Sequence, residues 1–232
     1  MESNRIRSKY RVGLKTIASC GLMTFFVLFA DLAYSQHAAG VESGSGVSDP
    51  DSSQSHHSSQ PENYFDDKGF RSHRYRAPLP DTVPGGKVVR ADEIRAIIDQ
   101  YNPALIDVLA VTLRPEAIDF GISWLPDSPR LNIPGSVWLP NVGRADLEPY
   151  MLRFFSDHLV ELTDGKLDNP ILFYCIADCW MSWNASKRAA EWGYSNVYWF
   201  PEGTDGWEAS GGELVETEPE SIIEYIEEAE IQ

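Results

Sequence analysis

Two cysteines four residues apart, Cys175 and Cys179, are the side chains of this sequence best suited to chemistry. They follow the apolar run 170–174 (PILFY) and precede a segment of helical periodicity from Ser182 to Trp192. A strand that hands over to a helix N-terminus sets its last residue among backbone N–H groups, and the helix dipole there favours a negative sulfur. So short a loop also lets the two Cβ atoms meet if it curls. A thiolate with a second thiol in reach can pass through a mixed disulfide or persulfide and be resolved internally. On that chemistry Cys175 is expected to be the nucleophile or sulfur carrier, and Cys179 the resolving thiol. Ile176, Ala177, Asp178, Trp180, Met181, Ser182 and Trp183 form the expected loop around them, with Trp180 and Trp183 as an apolar wall for a bound partner. A structural disulfide, or two reduced cysteines packed as small hydrophobes, is the alternative reading of the same spacing.

Other side chains invite chemistry less. Asp107 interrupts the apolar run 104–110 and is expected to accept backbone N–H bonds beside the first loop, a structural neighbour of the site rather than a catalytic carboxylate. His158 falls on the apolar face of its helix, where a hydrogen-bonded core histidine is expected. Trp138, Trp183, Trp192, Trp199 and Trp207 are expected mostly in the core, given the area each buries. Asn184-Ala185-Ser186 matches a glycosylation acceptor but opens a packed helix. No haem-attachment motif and no metal-spaced ligand cluster occurs, so neither cofactor nor metal is expected; His56-His57 in a Ser-rich tract reads as filler.

Strand and helix patterns alternate around the cysteines. Short strands are expected at 87–89, 104–110, 137–139, 170–174 and 196–200, and helices at 91–101, 147–162 and 182–192. Such alternation implies a single α/β domain with a central, mainly parallel five-stranded sheet covered by helices on both faces. Ligands of such sheets gather at the strands' carboxyl ends, where Cys175 sits.

The flanks speak to compartment. Arg5, Arg7, Lys9, Arg11 and Lys15 precede an apolar run over 17–30, and Ala33-Tyr34-Ser35 closes it with small residues where a signal peptidase reads. A signal peptide over 1–35 is expected, and with it export to the periplasm; an uncleaved N-terminal anchor is the alternative. Cleavage would remove Cys20 and leave Cys175 and Cys179 as the remaining cysteines. Five basic and two acidic residues would leave with it, taking the formal charge from −16 to −19. So negative a chain repels nucleic acid and anionic headgroups, so no nucleic-acid partner is expected, nor any membrane contact beyond the leader. Residues 36–74 read as a low-complexity linker, 64–84 as an extended arm toward the domain, 75–215 as the domain, and 216–232 as an acidic tail. The tail is either a short helix docking through Ile222, Ile223, Tyr225 and Ile226 or a solvated segment.

The stretch 169–207, from the cysteine strand through N-V-Y to the Gly203, Gly206, Trp207 close, resembles the second half of a rhodanese domain. Leu105-Ile106-Asp107-Val108 and Ile133-Pro134-Gly135-Ser136-Val137 resemble motifs of the first half. More narrowly, CIADCWMSWNASKRA, IPGSVWLPNVGR and YWFPEGTDGW resemble the exported CxxCW-motif rhodanese family associated with alcohol catabolism dependent on pyrroloquinoline quinone (PQQ). The spacing here is C-x-x-x-C-W, and the loop is longer than a working rhodanese loop. It has Asp178 and Trp180 where glycine and arginine are common, and the negative charge disfavours anionic donors such as thiosulfate. The loop has no arginine to clamp phosphoryl oxygens, which argues against phosphatase chemistry. The resemblance implies sulfurtransferase-like or thiol–disulfide exchange activity, accessory to PQQ-dependent alcohol oxidation. It equally admits a non-catalytic module that binds a periplasmic quinoprotein dehydrogenase or cytochrome.

Overall fold

Two runs buried at every position, ILFY and VYWF, occupy the middle of the sheet, as strands covered on both faces require. The computed structural model describes residues 64–114 and 123–231. Its strands are β1 (Lys87–Val88), β2 (Ala104–Asp107), β3 (Thr112–Arg114), β4 (Ser123–Leu125), β5 (Leu131–Asn132), β6 (Val137–Trp138), β7 (Ile171–Tyr174), β8 (Val197–Phe200) and β9 (Val215–Glu216). Its helices are α1 (Ile94–Tyr101), α2 (Pro149–Leu162), α3 (Trp180–Glu191), α4 (Gly203–Ala209) and α5 (Ile223–Glu230). The main sheet runs β1-β8-β7-β2-β6 with every pair parallel, the five-stranded α/β architecture expected. Asp107 pairs with Tyr174 and Tyr174 with Phe200, so three strands end in one row, and Cys175 leaves from the central one.

Alternation along β7 builds two cores. Ile171 and Phe173 pack with Phe154, Phe155 and Leu159 of α2, in the cluster that also holds Cys175 and Cys179. Leu172 and Tyr174 face the other way, toward Ile94 of α1 and Trp207 of α4. A third cluster joins Trp180, Trp183 and Trp199 to the N-terminal arm through Phe65, Tyr75 and Ala77.

The packed body extends past 75–215 at both ends. Phe70 and Arg71 are buried, so residues 64–74 belong to it and not to the linker. The arm is held there because Asn184 both accepts from the Arg71 amide and donates to the Arg71 carbonyl, each at 2.9 Å. At the other end α5 packs on α2 with Ile222 and Ile226 buried, the docked form of the tail. The hairpin β3–β4, the ribbon β5–β9 and helix α4 were not expected; they are too short for a periodic signal. The expected signal peptide and residues 36–63 of the linker lie outside the described residues. No helix among the described residues is long and apolar enough to cross a membrane.

Candidate functional site

β7 ends at Tyr174 and α3 starts at Trp180, so the intervening loop is Cys175 to Cys179, with Cys179 at the helix N-cap. The loop curls because Asp178 adopts a left-handed φ of 54°, a conformation that non-glycine residues hold only where the surroundings enforce it. Its enforcers are visible. The Ala77 amide donates to the Asp178 carbonyl at 3.1 Å, and the Trp180 amide to the Tyr75 carbonyl at 2.8 Å. On the other flank the Ala177 amide donates to Asp205 Oδ2 at 2.6 Å, and the Thr204 amide to the Cys175 carbonyl at 3.0 Å. Gly203 is obligatory here, since a Cβ on it would lie 2.4 Å from the Cys175 oxygen.

The curl brings the two thiols together, undisulfided and close enough to influence each other's ionisation. Their electrostatics differ. Burial, then the bond to Cys179, pushes the Cys175 thiol well above its usual range. Cys179 moves down, first because it accepts that bond, with the Met181 amide and the Arg76 charge adding to it against the cost of burial. The N-cap has no directed cap hydrogen bond, yet the Met181 amide lies where it favours a negative sulfur. Burial thus weighs more on the thiol at the strand end, while the Met181 amide and the Arg76 charge favour negative charge at the helix end. Both cysteines are buried, Cys175 at 0% and Cys179 at 2% residue exposure.

Behind the pair lies a buried ion pair. Asp107 Oδ2 accepts from Arg130 Nε at 2.6 Å and its Oδ1 from the Leu109 amide at 2.9 Å. Burial raises the Asp107 carboxyl even with Arg130 beside it. Burial is the largest influence on Arg130 and would lower it, but the charge and hydrogen bond of Asp107, with smaller contributions from Cys175 and Tyr174, together leave it raised. Arg130 Nη2 also reaches the Cys175 carbonyl at 3.3 Å. The Asp107 charge opposes ionisation of both sulfurs.

The expected loop residues separate into two groups. Ile176, Ala177 and Asp178 line the loop, with Asp178 exposed. Trp180, Met181, Ser182 and Trp183 are buried in the first turn of α3, so they do not wall an open cleft. Trp180 and Trp183 meet Phe65 of the arm at ring distances of 5.4 and 6.2 Å, and Ser182 Oγ donates to the Cys179 carbonyl at 3.2 Å. His158 is hydrogen-bonded through Nδ1 to the Phe154 carbonyl at 2.7 Å. Four residues near the pair were missed: Tyr75, Arg76, Arg130 and Asp205. A buried carboxylate in β2 signals that a cation is needed but does not say which one. The other three act across long sequence separations that no local pattern encodes. A cleft of about 290 Å³ beside Arg130, Trp138 and Arg144 is lined by neither cysteine.

No family model and no curated protein matches the chain. Among solved structures it is similar to a thiosulfate sulfurtransferase from Pseudomonas aeruginosa: 16% identity, TM-score 0.39, spanning 58% of this chain and only 21% of that one. A second likeness is to the 30 kDa polysulfide-sulfur transferase homodimer from Wolinella succinogenes: 12% identity, TM-score 0.35, 57% of this chain and 80% of that one.

Proposed function

We propose that this chain is an exported protein that handles sulfur through Cys175 and Cys179, with Cys179 as the attacking thiolate and Cys175 as the resolving thiol. The observation that carries the reading is the contact between the two thiols, with charge biased to the helix end. Thiol–disulfide exchange fits better than sulfur transfer from an anionic donor. The Asp107 charge opposes added negative charge at the pair. The loop amides of Ala177 and Trp180 are engaged by Asp205 and Tyr75, so they are not presented to an oxyanion. The resemblance to the CxxCW-motif family supports an accessory role in PQQ-dependent alcohol oxidation, with a periplasmic quinoprotein dehydrogenase or cytochrome as partner.

The burial of both sulfurs favours a second reading, a non-catalytic module that docks on such a partner. One experiment separates the two. The reduced protein is equilibrated with glutathione redox buffers and with thiosulfate or polysulfide, and the products are mapped by mass. Exchange requires a reversible Cys175–Cys179 disulfide, abolished in Cys179→Ser, and thiol alkylation that sets in at lower pH than for an ordinary cysteine and maps to Cys179. Cysteines inert under all of these conditions leave the module reading standing. A gain of one sulfur from thiosulfate alone would replace exchange with sulfur transfer.

A further inference from the structure

The loop's backbone edge is covered by the chain's own arm in a specific way. Arg76 faces Cys179 in an antiparallel bridge. The two backbone bonds, Trp180 N–H to Tyr75 carbonyl and Ala77 N–H to Asp178 carbonyl, flank that pair instead of joining it. That is the non-hydrogen-bonded kind of antiparallel pair, whose Cα atoms lie about 4.5 Å apart with side chains close together. A disulfide needs Cα atoms about 4.4–6.8 Å apart. A sulfur carried by the residue opposite Cys179 would therefore meet the Cys179 sulfur with little backbone movement.

We propose that the edge formed by Asp178, Cys179 and Trp180 is a binding site for an extended polypeptide carrying a disulfide, and that residues 75–77 of the arm are its resident place-holder. This rests on the exchange chemistry proposed above and names its substrate class. Three features support it. Cys179 is 2% exposed, so any partner must first displace what covers it. The arm's firm anchors lie to either side of 75–77: upstream at Arg71 on Asn184, downstream at Thr82, whose carbonyl accepts from Trp183 Nε1 at 2.9 Å. Between them the segment is held by the two backbone bonds, by Tyr75 Oη accepting from the Ala145 amide at 2.9 Å, and by packing of Tyr75, Ala77 and Leu79 on the Trp180–Trp183–Trp199 cluster, and Pro78 and Pro80 have no N–H with which to extend the ladder. Once the segment lifts, the Asp178 carbonyl and the Trp180 N–H require a new main-chain partner, which an added strand supplies.

The bond changes balance. The Cys179 thiolate attacks one sulfur of the substrate disulfide; that S–S bond breaks and a mixed disulfide forms, with the other substrate sulfur leaving as a thiolate. The Cys175 thiol gives its proton to that thiolate and attacks the Cys179 sulfur. The mixed disulfide breaks, the Cys175–Cys179 bond forms, and the second substrate thiolate leaves and takes a proton from solvent. Two electrons pass from the pair to the substrate, and the reverse sequence oxidises a substrate dithiol.

The test uses the arm itself as probe. An eleven-residue peptide of sequence 70–80 with Arg76→Cys is prepared as its 2-thiopyridyl disulfide, alongside cysteine bearing the same leaving group. Thiopyridone release is followed for the wild-type protein and for Ala77→Pro, which removes the bond to the Asp178 carbonyl while keeping the backbone extended. The expected result is that Ala77→Pro reacts at Cys179 about ten-fold faster with the peptide than with the cysteine reagent, and faster than wild type does. Equal rates with both reagents would overturn the polypeptide site while leaving exchange intact. Inertness of both chains toward both reagents overturns the exchange reading as well. In the full chain, Arg76→Cys should cross-link to Cys179 on mild oxidation; a link to Cys175, or none, also overturns the site.

Discussion

Asp107 and Arg130 tie the sheet to the reactive loop, and their energetics are lopsided. Asp107 is fully buried and Arg130 nearly so, with a 2.6 Å bond between them. Making such a pair gains little, because attraction is offset by desolvation, whereas removing one partner strands a buried charge. Asp107→Asn or Arg130→Met should each cost about 3–5 kcal/mol, and the two combined much less than the sum. Urea unfolding measures all four corners, and additive losses would refute the pairing argument. The pH dependence has a definite sign. The folded-state carboxyl titrates above the unfolded value of 3.8, so its burial cost is full at neutral pH and is relieved as pH falls through the raised value. The double variant's stability relative to wild type should therefore be most favourable near pH 7 and decline on acidification. Of this site, the cysteine pair and the need of Asp107 for a local partner were legible in the sequence. The pull of negative charge toward Cys179 was not, because it depends on the Met181 amide and on Arg76 arriving from about 100 residues away.

Helix α3 carries the reactive end of the loop, and its position is set by a contact without side-chain chemistry. A Cβ on Gly143 would lie 2.1 Å from the Met181 carbonyl oxygen, so the first turn of α3 rests directly on bare backbone. Gly143→Ala must push that turn away, at about 1–3 kcal/mol, and carry the Met181 amide off the Cys179 sulfur. Alkylation of Cys179 at neutral pH should slow in proportion to its lost thiolate fraction. Gly165→Ala is the control: its φ of 70° makes alanine costly by about 1–2 kcal/mol, yet nothing lies near its Cβ. That variant should lose stability and keep its thiol reactivity, and equal slowing in both would refute a local effect. The same comparison explains what could be read in advance. The strand and helix patterns of β2, β7, β8, α1, α2 and α3 each fill a turn or a pleat with apolar residues, so periodicity reveals them. α3 was expected to begin at Ser182, yet it starts at Trp180 because tertiary contacts from Gly143 and Tyr75 fix the handover.

At the scale of the whole molecule, the question is whether the acidic C-terminal segment is solvated charge or structure. It carries six glutamates over 217–232 in a chain already at −16, so self-repulsion argues for its expendability. Packing argues the other way. Ile222 and Ile226 are buried in the cluster that holds Phe154, Leu159 and the two cysteines. The segment also runs as a belt: Thr217 N–H bonds the Arg130 carbonyl at 2.9 Å, Glu220 N–H the Trp138 carbonyl at 2.9 Å, and the Glu220 carbonyl accepts from Trp124 Nε1 at 2.8 Å. Burying the two isoleucines is worth about 3–6 kcal/mol. Repulsion among exposed glutamates is screened beyond about 8 Å at physiological salt and partly answered by the Arg153–Glu228 pair. Packing wins, so deleting 217–232 should lower unfolding stability by at least about 3 kcal/mol, and added salt should not restore it. Because the belt touches Arg130, which also reaches the Cys175 carbonyl, the truncated chain should expose its thiols to alkylation well below its unfolding midpoint. A truncated chain as stable as the parent, or one stabilised by loss of charge, would show that the segment is only a solvated tail.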